Sequence, residues 1–171
     1  GLSPYFAYAE SFEVLPGIDP NTRNSYKPLK GKLYETGVKY APAFLDGYIN
    51  LALFDLAQTN SLVSTGSGQQ TQAGEVTSQG VELEGSVQVT DALRLTAAYT
   101  YTDAKTNDTG SGDRRASLIP RHQASFWGNY KVQQGVASGL ELGTGVRYVG
   151  SSVGIGAVDA SYNPIYGSAQ V

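Results

Sequence analysis

"GVELEGSVQVTDALRLTAAYTYTDA", residues 80–104, alternates apolar and polar side chains so strictly that its two faces separate by parity. Val81, Leu83, Val87 and Val89 are apolar with Gly85 among them, while Glu82, Glu84, Ser86 and Gln88 are polar. A period of two marks a strand, because successive side chains point to opposite faces. After Thr90, Asp91 and Ala92 the parity resumes, with Leu93, Leu95, Ala97, Tyr99 and Tyr101 set against Arg94, Thr96, Ala98, Thr100 and Thr102. Two strands of about ten residues joined this tightly predict an antiparallel hairpin, since a parallel crossover needs a dozen or more residues. The helical period is absent, and Val, Thr and Tyr dominate. The apolar face then has two destinations, the core of a soluble sheet or lipid.

Composition narrows the choice. The chain has 171 residues with 21 Gly, 12 Tyr, no Cys and no Met, which suits a turn-rich, aromatic all-β protein. A net charge of −3 gives no broad basic surface, so no nucleic-acid partner is expected. The absence of Cys excludes disulfides, a thiol nucleophile and thiolate metal sites, and leaves the redox compartment open. No apolar run reaches the ~18 residues of a membrane helix, which says nothing against a membrane barrel, whose strands are amphipathic.

Strand candidates fall at residues 3–12, 33–41, 48–59, 80–90, 93–103, 122–132 and 140–151, predicting an antiparallel up-and-down meander of about seven strands. The connections alternate. Residues 13–32, 60–79 and 104–121 form long, Gly-, Ser-, Asn- and Pro-rich links, whereas "PAFLDG", "TDA" and "QQGVASG" are short. All the long links lie on one rim, as in outer-membrane barrels with long external loops and short periplasmic turns. Parity places Tyr34, Tyr99, Tyr101 and Tyr148 on the apolar face near the long-loop rim, and Tyr40 and Tyr130 near the opposite rim. That is a pair of aromatic girdles. The facing of the first and third strands stays open, because Phe6, Tyr8 and Glu10 oppose Tyr5, Ala7 and Ala9 in the first, and Ile49, Leu51 and Leu53 lead into Asp55 in the third.

"SPYFAYAESF", "LYETGVKY", "LALFDLAQTN", "GVELEGSVQVTDALRLTAAYTYTDA", "PRHQASFWGNY" and "GVRYVGSS" together resemble, in order, the C-terminal half of the barrel of TonB-dependent ferric siderophore receptors, especially the ferrichrome-receptor-like group. The resemblance implies part of a barrel of about 22 strands, in the outer membrane of a Gram-negative bacterium. It also implies partners: a ferric siderophore, the TonB energy-transducing complex and outer-membrane lipid. Iron would arrive inside its ligand, so no protein cofactor and no metal site are expected. Residues 1–171 are expected to be a partial barrel domain, with the plug and the final strands outside it.

Motifs that suggest other chemistry are weak. "DTGS", Asp108–Ser111, matches an aspartic-protease signature but lacks the hydrophobic strand that should precede it, and reads as polar loop. "NDT" from Asn107 matches a glycosylation sequon and is taken as chance. His122 is the only histidine; Ser125, three positions on, falls on the opposite strand face, so no catalytic triad forms. No catalytic and no metal residue is expected. Glu82, Glu84, Arg94, Lys131, Glu141 and Arg147 line the polar face, available to a plug, a ligand or each other. Asp113, Arg114, Arg115 and Arg121 mark a cationic stretch able to draw an anionic siderophore, with ordinary loop charge as the plainer reading. Trp127 points inward, for plug packing or ligand stacking. The rival functions are a soluble β-sandwich binding module and an outer-membrane barrel enzyme.

Overall fold

The computed structural model describes residues 1–20, 22–64, 70–108, 112–158 and 164–171. Its strands are β1 (Leu2–Glu13), β2 (Leu29–Tyr40), β3 (Gly47–Ser64), β4 (Gln70–Thr90), β5 (Leu93–Asp108), β6 (Gly112–Arg115), β7 (His122–Lys131), β8 (Glu141–Val149), β9 (Val153–Val158) and β10 (Pro164–Tyr166). The first sheet runs β1-β2-β3-β4-β5-β7-β8, antiparallel throughout, with β6 pairing the outer end of β5. β9 and β10 form a separate pair. All seven expected strands are present in the expected order.

The expectation of long loops is corrected in part. β3 runs to Ser64 and β4 begins at Gln70, so most of residues 60–79 is ladder; β5 likewise continues to Asp108, and Gly112–Arg115 is a strand. Alternation is visible in a sequence only where one face is apolar, yet backbone pairing continues wherever two chains stay adjacent. The β3–β4 hairpin consequently carries about ten extra residues, some 30 Å of strand, past the last apolar position. At the other rim the turns are tight: the Thr90 hydroxyl accepts the N–H groups of Ala92 (3.3 Å) and Leu93 (3.1 Å).

Register resolves the two ambiguous strands. Leu51 pairs with both Val38 and Leu83, and Leu53 with Thr36 and Val81, so Ile49, Leu51 and Leu53 share the apolar face of Val81 and Leu83. Tyr40 pairs Leu2 and Tyr34 pairs Tyr8, which puts Leu2, Pro4, Phe6 and Tyr8 on that face too. The apolar segments are then residues 2–8, 34–40, 47–53, 81–89, 93–101, 122–130 and 142–148, and their face positions include no Asp, Glu, Lys or Arg. Each is seven to nine residues long, against the ~9–11 that a tilted strand needs to cross a bilayer.

The band runs obliquely. Its outer edge lies at the Tyr8–Tyr34 row in β1 and β2, one row lower at Leu53–Val81–Tyr101–His122, and one lower again at Tyr148. Its inner edge descends alike, from Leu2–Tyr40 to Tyr130–Leu142. Both edges therefore drift by two rows, about 13 Å of strand, while the width is kept. Strands tilted through a slab of fixed thickness produce that pattern.

A soluble sandwich would cover this face. Instead Phe6 is 69% exposed, Leu51 45%, Phe126 46% and Val146 52%, and no large side chain is fully buried among the described residues. The chain exposes 11509 Å² for its 18.1 kDa, above the about 8,000 Å² of a compact monomer of that mass, as a single open layer must. The buried apolar residues are Ala52, Ala104, Ala116 and Val153. A single layer with one uncovered, charge-free face is built to meet lipid.

Candidate functional site: the inward wall and the outer rim

The face opposite the band is the wall on which any ligand or inner domain would act. Its lower half is charged. Lys39, Asn50, Glu84, Ala98, Ser125 and Arg147 follow one another along one row of the sheet, with Gly37, Ala52, Glu82 and Thr100 in the row above. Arg94 donates to Gln88 Oε1 at 2.8 Å and pairs with Asp46 at 3.2 Å, and Lys131 pairs with Glu141 at 3.8 Å. These exposed pairs tie turns to strands and contribute little energy each. Tyr5 donates its hydroxyl to Glu35 Oε1 at 2.8 Å, and the Lys39 ammonium sits 5.3 Å from the Tyr5 ring centroid. Glu82, Glu84 and Arg147 form no ion pair among the described residues, and Asn50 Oδ1 is buried without a partner. This wall presents unmet hydrogen-bonding and charge capacity inward.

Above it lies an apolar patch, which the sequence did not reveal. Leu33 pairs with Leu56, and Glu35 with Phe54, so Leu33, Phe54 and Leu56 face inward just above the charged rows; Val76, paired with Gln58, extends the patch. The signal was the "LFDLA" run itself: Leu53 closes the outward band, Asp55 stands on that face beyond it, and Phe54 and Leu56 point inward.

Three inward aromatics lie flat on glycines across the strand junction. Tyr5 is paired with Gly37, Phe54 with Gly80 and Trp127 with Gly145. A methyl built on Gly37 would meet the Tyr5 ring at 2.6 Å, and one on Gly145 the Trp127 ring at 2.4 Å. The glycines are thus the floor on which the rings rest, the cross-strand pairing by which an aromatic covers bare backbone. The Trp127 indole N–H donates to Asn129 Oδ1 at 2.9 Å. Trp127 does face inward, and its ring is held against the wall.

His122 and Ser125 lie on opposite faces as expected, since His122 pairs with Tyr101 on the apolar face and Ser125 with Ala98 on the inward one. The Tyr99 hydroxyl and His122 Nδ1 are 2.8 Å apart, and the Tyr101 ring lies 5.2 Å from the imidazole. His122 belongs to the outer aromatic girdle. Thr109, Gly110 and Ser111 of "DTGS", with the last residue of the sequon, lie outside the described residues; Asn107 donates to Asp113 Oδ1 at 2.9 Å. Among the described residues no cluster of His, Cys, Asp and Glu is arranged to hold a metal.

The cationic stretch is divided. Arg121 pairs with Asp103 at 3.1 Å, on the outward face just beyond the band. Arg115 donates to the carbonyl oxygens of Ile119 (3.4 Å) and Ser151 (3.2 Å) and lies 5.5 Å over the Tyr166 ring. Leu118 N–H donates to Val153 O at 2.8 Å beside it, closing a small core around Ala104, Ala116 and Val153. Lysine cannot reproduce a planar guanidinium over the Tyr166 ring. Arg115→Lys is expected to cost about 1 kcal/mol and to speed chymotryptic cleavage after Tyr166 severalfold, leaving the band unchanged; equal cleavage of both proteins would remove Arg115 from this role.

At the far edge, Val149 and Gln170 exchange two backbone hydrogen bonds of 2.8 Å, so the chain returns to the open side of β8 after β10. Along residues 1–168 the sequence matches the family described as TonB dependent receptor-like, beta-barrel.

The chain belongs to that family.

Curated relatives agree. The chain is 40% identical over 157 residues to the ferrichrome outer membrane transporter/phage receptor of Escherichia coli K12, covering 90% of this chain and 21% of the relative. It is 39% identical over 152 residues to the ferrioxamine B receptor of Salmonella typhimurium, covering 87% and 22%. It therefore spans about a fifth of the length of these curated relatives. Among solved structures, the ferripyoverdine receptor of the outer membrane of Pseudomonas aeruginosa superposes with a TM-score of 0.77 at 18% identity, covering 99% of this chain and 24% of that one. The shared fold is that of a receptor barrel wall.

Proposed function

We propose that this chain is a section of the wall of an outer-membrane receptor that captures iron-loaded siderophores and imports them with energy supplied through TonB. The observation that carries the reading is the oblique, charge-free band backed by an inward wall with unmet charge. The band meets lipid on one side. Glu82, Glu84 and Arg147 meet an inner plug or the passing ligand on the other. The names of the ferrichrome and ferrioxamine B relatives support a siderophore as cargo. Iron in this reading stays within its ligand, so the protein needs neither a resident metal nor a cofactor, and its work is binding and conformational change rather than bond making. TonB contact, the plug and the closing strands belong to the longer receptor of which residues 1–171 are a part.

The test is uptake. Deleting the gene that encodes this chain should abolish cellular accumulation of radioiron supplied as ferrichrome or as ferrioxamine B, and restoring the gene should return it. Unchanged uptake of both, in a strain with no second receptor for them, would overturn the siderophore assignment. Fractionation should find the protein in the outer membrane.

A further inference from the structure

The β1–β2 connection, residues 14–28, is tied to the outer end of the β3–β4 hairpin, and the ties converge on one side chain. Gln72 Oε1 accepts the Lys27 N–H at 2.7 Å, while Gln72 Nε2 donates to Lys27 O and, at 3.1 Å, to Asn60 O. The Gln72 backbone N–H reaches Asp19 Oδ2 at 3.4 Å, and Asn60 Nδ2 donates to Pro28 O at 2.8 Å. One primary amide thus satisfies an N–H and a C=O of the same neighbouring residue, the pairing of an added strand, with a second carbonyl from its own hairpin.

The local backbone is shaped for this. Asn60 adopts φ 65°, a left-handed conformation that Asn tolerates better than most residues, and the ladder shifts register between Thr59 and Ser61. The bulge frees Asn60 O from a cross-strand partner and turns it to Gln72. On the other side Asp19, 7% exposed, accepts the Thr22 N–H at 3.3 Å through its second carboxylate oxygen, so the contact reaches the turn that organises the connection. Arg23 N–H to Asp19 O (2.8 Å), Asp19 N–H to Asn24 O (2.9 Å) and Tyr26 N–H to Gly17 O (3.3 Å) complete that turn.

We propose that Gln72 is a latch that joins the β1–β2 connection to the β3–β4 hairpin as one body, so that this sector of the outer rim opens or closes as a unit. It rests on the receptor reading only for what the rim covers. The latch itself is a matter of backbone protection, and is measured separately from transport.

Hydrogen exchange on the full-length protein, in detergent or in membranes, tests it. In Gln72→Ala the Lys27 amide loses its acceptor, and its exchange, with that of Asp19, Arg23 and Tyr26, should rise about tenfold, as expected when several modest hydrogen bonds that hold a surface segment are lost together. Gln72→Glu keeps an acceptor for Lys27 N–H and loses both donated bonds, so an intermediate rise is expected. Amides of residues 81–88 should be unaffected in both. Unchanged exchange at Lys27 and Arg23 in Gln72→Ala would overturn the latch. A rise shared by residues 81–88 would also overturn it, because Gln72 would then act on the whole sheet; Asn60→Gly, which adopts the same positive φ and removes the side-chain tie to Pro28, should loosen the same four amides less. Failure of the unaltered protein to support iron uptake, with the expected rise in exchange still seen in Gln72→Ala, would bear on the receptor reading and leave the latch intact.

Discussion

Gly80→Ala is expected to destabilise the sheet by about 1 to 3 kcal/mol, the range for forcing an extra methyl into a packed site. A Cβ at this position would stand 2.1 Å from the Tyr101 carbonyl oxygen and 2.5 Å from Phe54 Cζ. The ring can swing away, uncovering backbone. The carbonyl cannot, because Val81 is in register with Tyr101 and Gly80 with Thr102, and moving that peptide disturbs the β4–β5 ladder on which the apolar band depends. Gly128→Ala is the matched control: the nearest atom to its Cβ is Leu95 Cδ2 at 3.4 Å, ordinary contact with a flexible side chain. Urea unfolding of the detergent-folded receptor should show a lowered midpoint for Gly80→Ala and a midpoint near the parent's for Gly128→Ala. Equal midpoints for the two variants would refute the aromatic-on-glycine account of the wall.

Ala97→Arg and Ala98→Arg should differ more sharply still, though they place the same side chain on adjacent residues. Ala97 pairs with Gly85 and Phe126 in the middle of the apolar band, whereas Ala98 pairs with Glu84 and Ser125 on the inward wall. A guanidinium at Ala97 must enter hydrocarbon, at about 2 to 4 kcal/mol near the midplane of a barrel. At Ala98 it stands beside the unpaired Glu84 carboxylate and in water. Folding into lipid bilayers should therefore fail or weaken for Ala97→Arg and proceed for Ala98→Arg. A soluble sheet whose apolar face met a second sheet would also reject Ala97→Arg; the separating observation is that the membrane protein extracts only with detergent. Equal tolerance of the two substitutions would sink the facing assigned here.

Much of this architecture was legible because lipid imposes a strict pattern. Where the sheet faces hydrocarbon on one side and water on the other, as in Val81–Val89 and Leu93–Tyr101, parity alone assigns every residue, and the girdle of Tyr34, Tyr101 and Tyr148 follows. β3 was not legible by itself, since Leu51 and Leu53 face out while Phe54 and Leu56 face in; only pairing with Val81 and Leu83 decides the matter. The outer halves of β3, β4 and β5 leave no trace in the sequence, because strands with water on both faces need no alternation. Gln72 and Arg115 were hidden for a different reason. Their partners are backbone groups of Lys27 and Ser151, 45 and 36 residues away, and a backbone carbonyl has no residue type by which to be recognised.

The stitching of the rim limits which of its segments can be exchanged separately. Transplanting residues 14–28 alone would leave Gln72 and Asn60 facing a segment not shaped to them. Transplants that carry residues 14–28 together with 59–72 should fold, as should those that carry 112–121 together with 151–167. The unit that must move together on this rim is then a linked pair of segments, and recombination between relatives should fall between the pairs rather than within them.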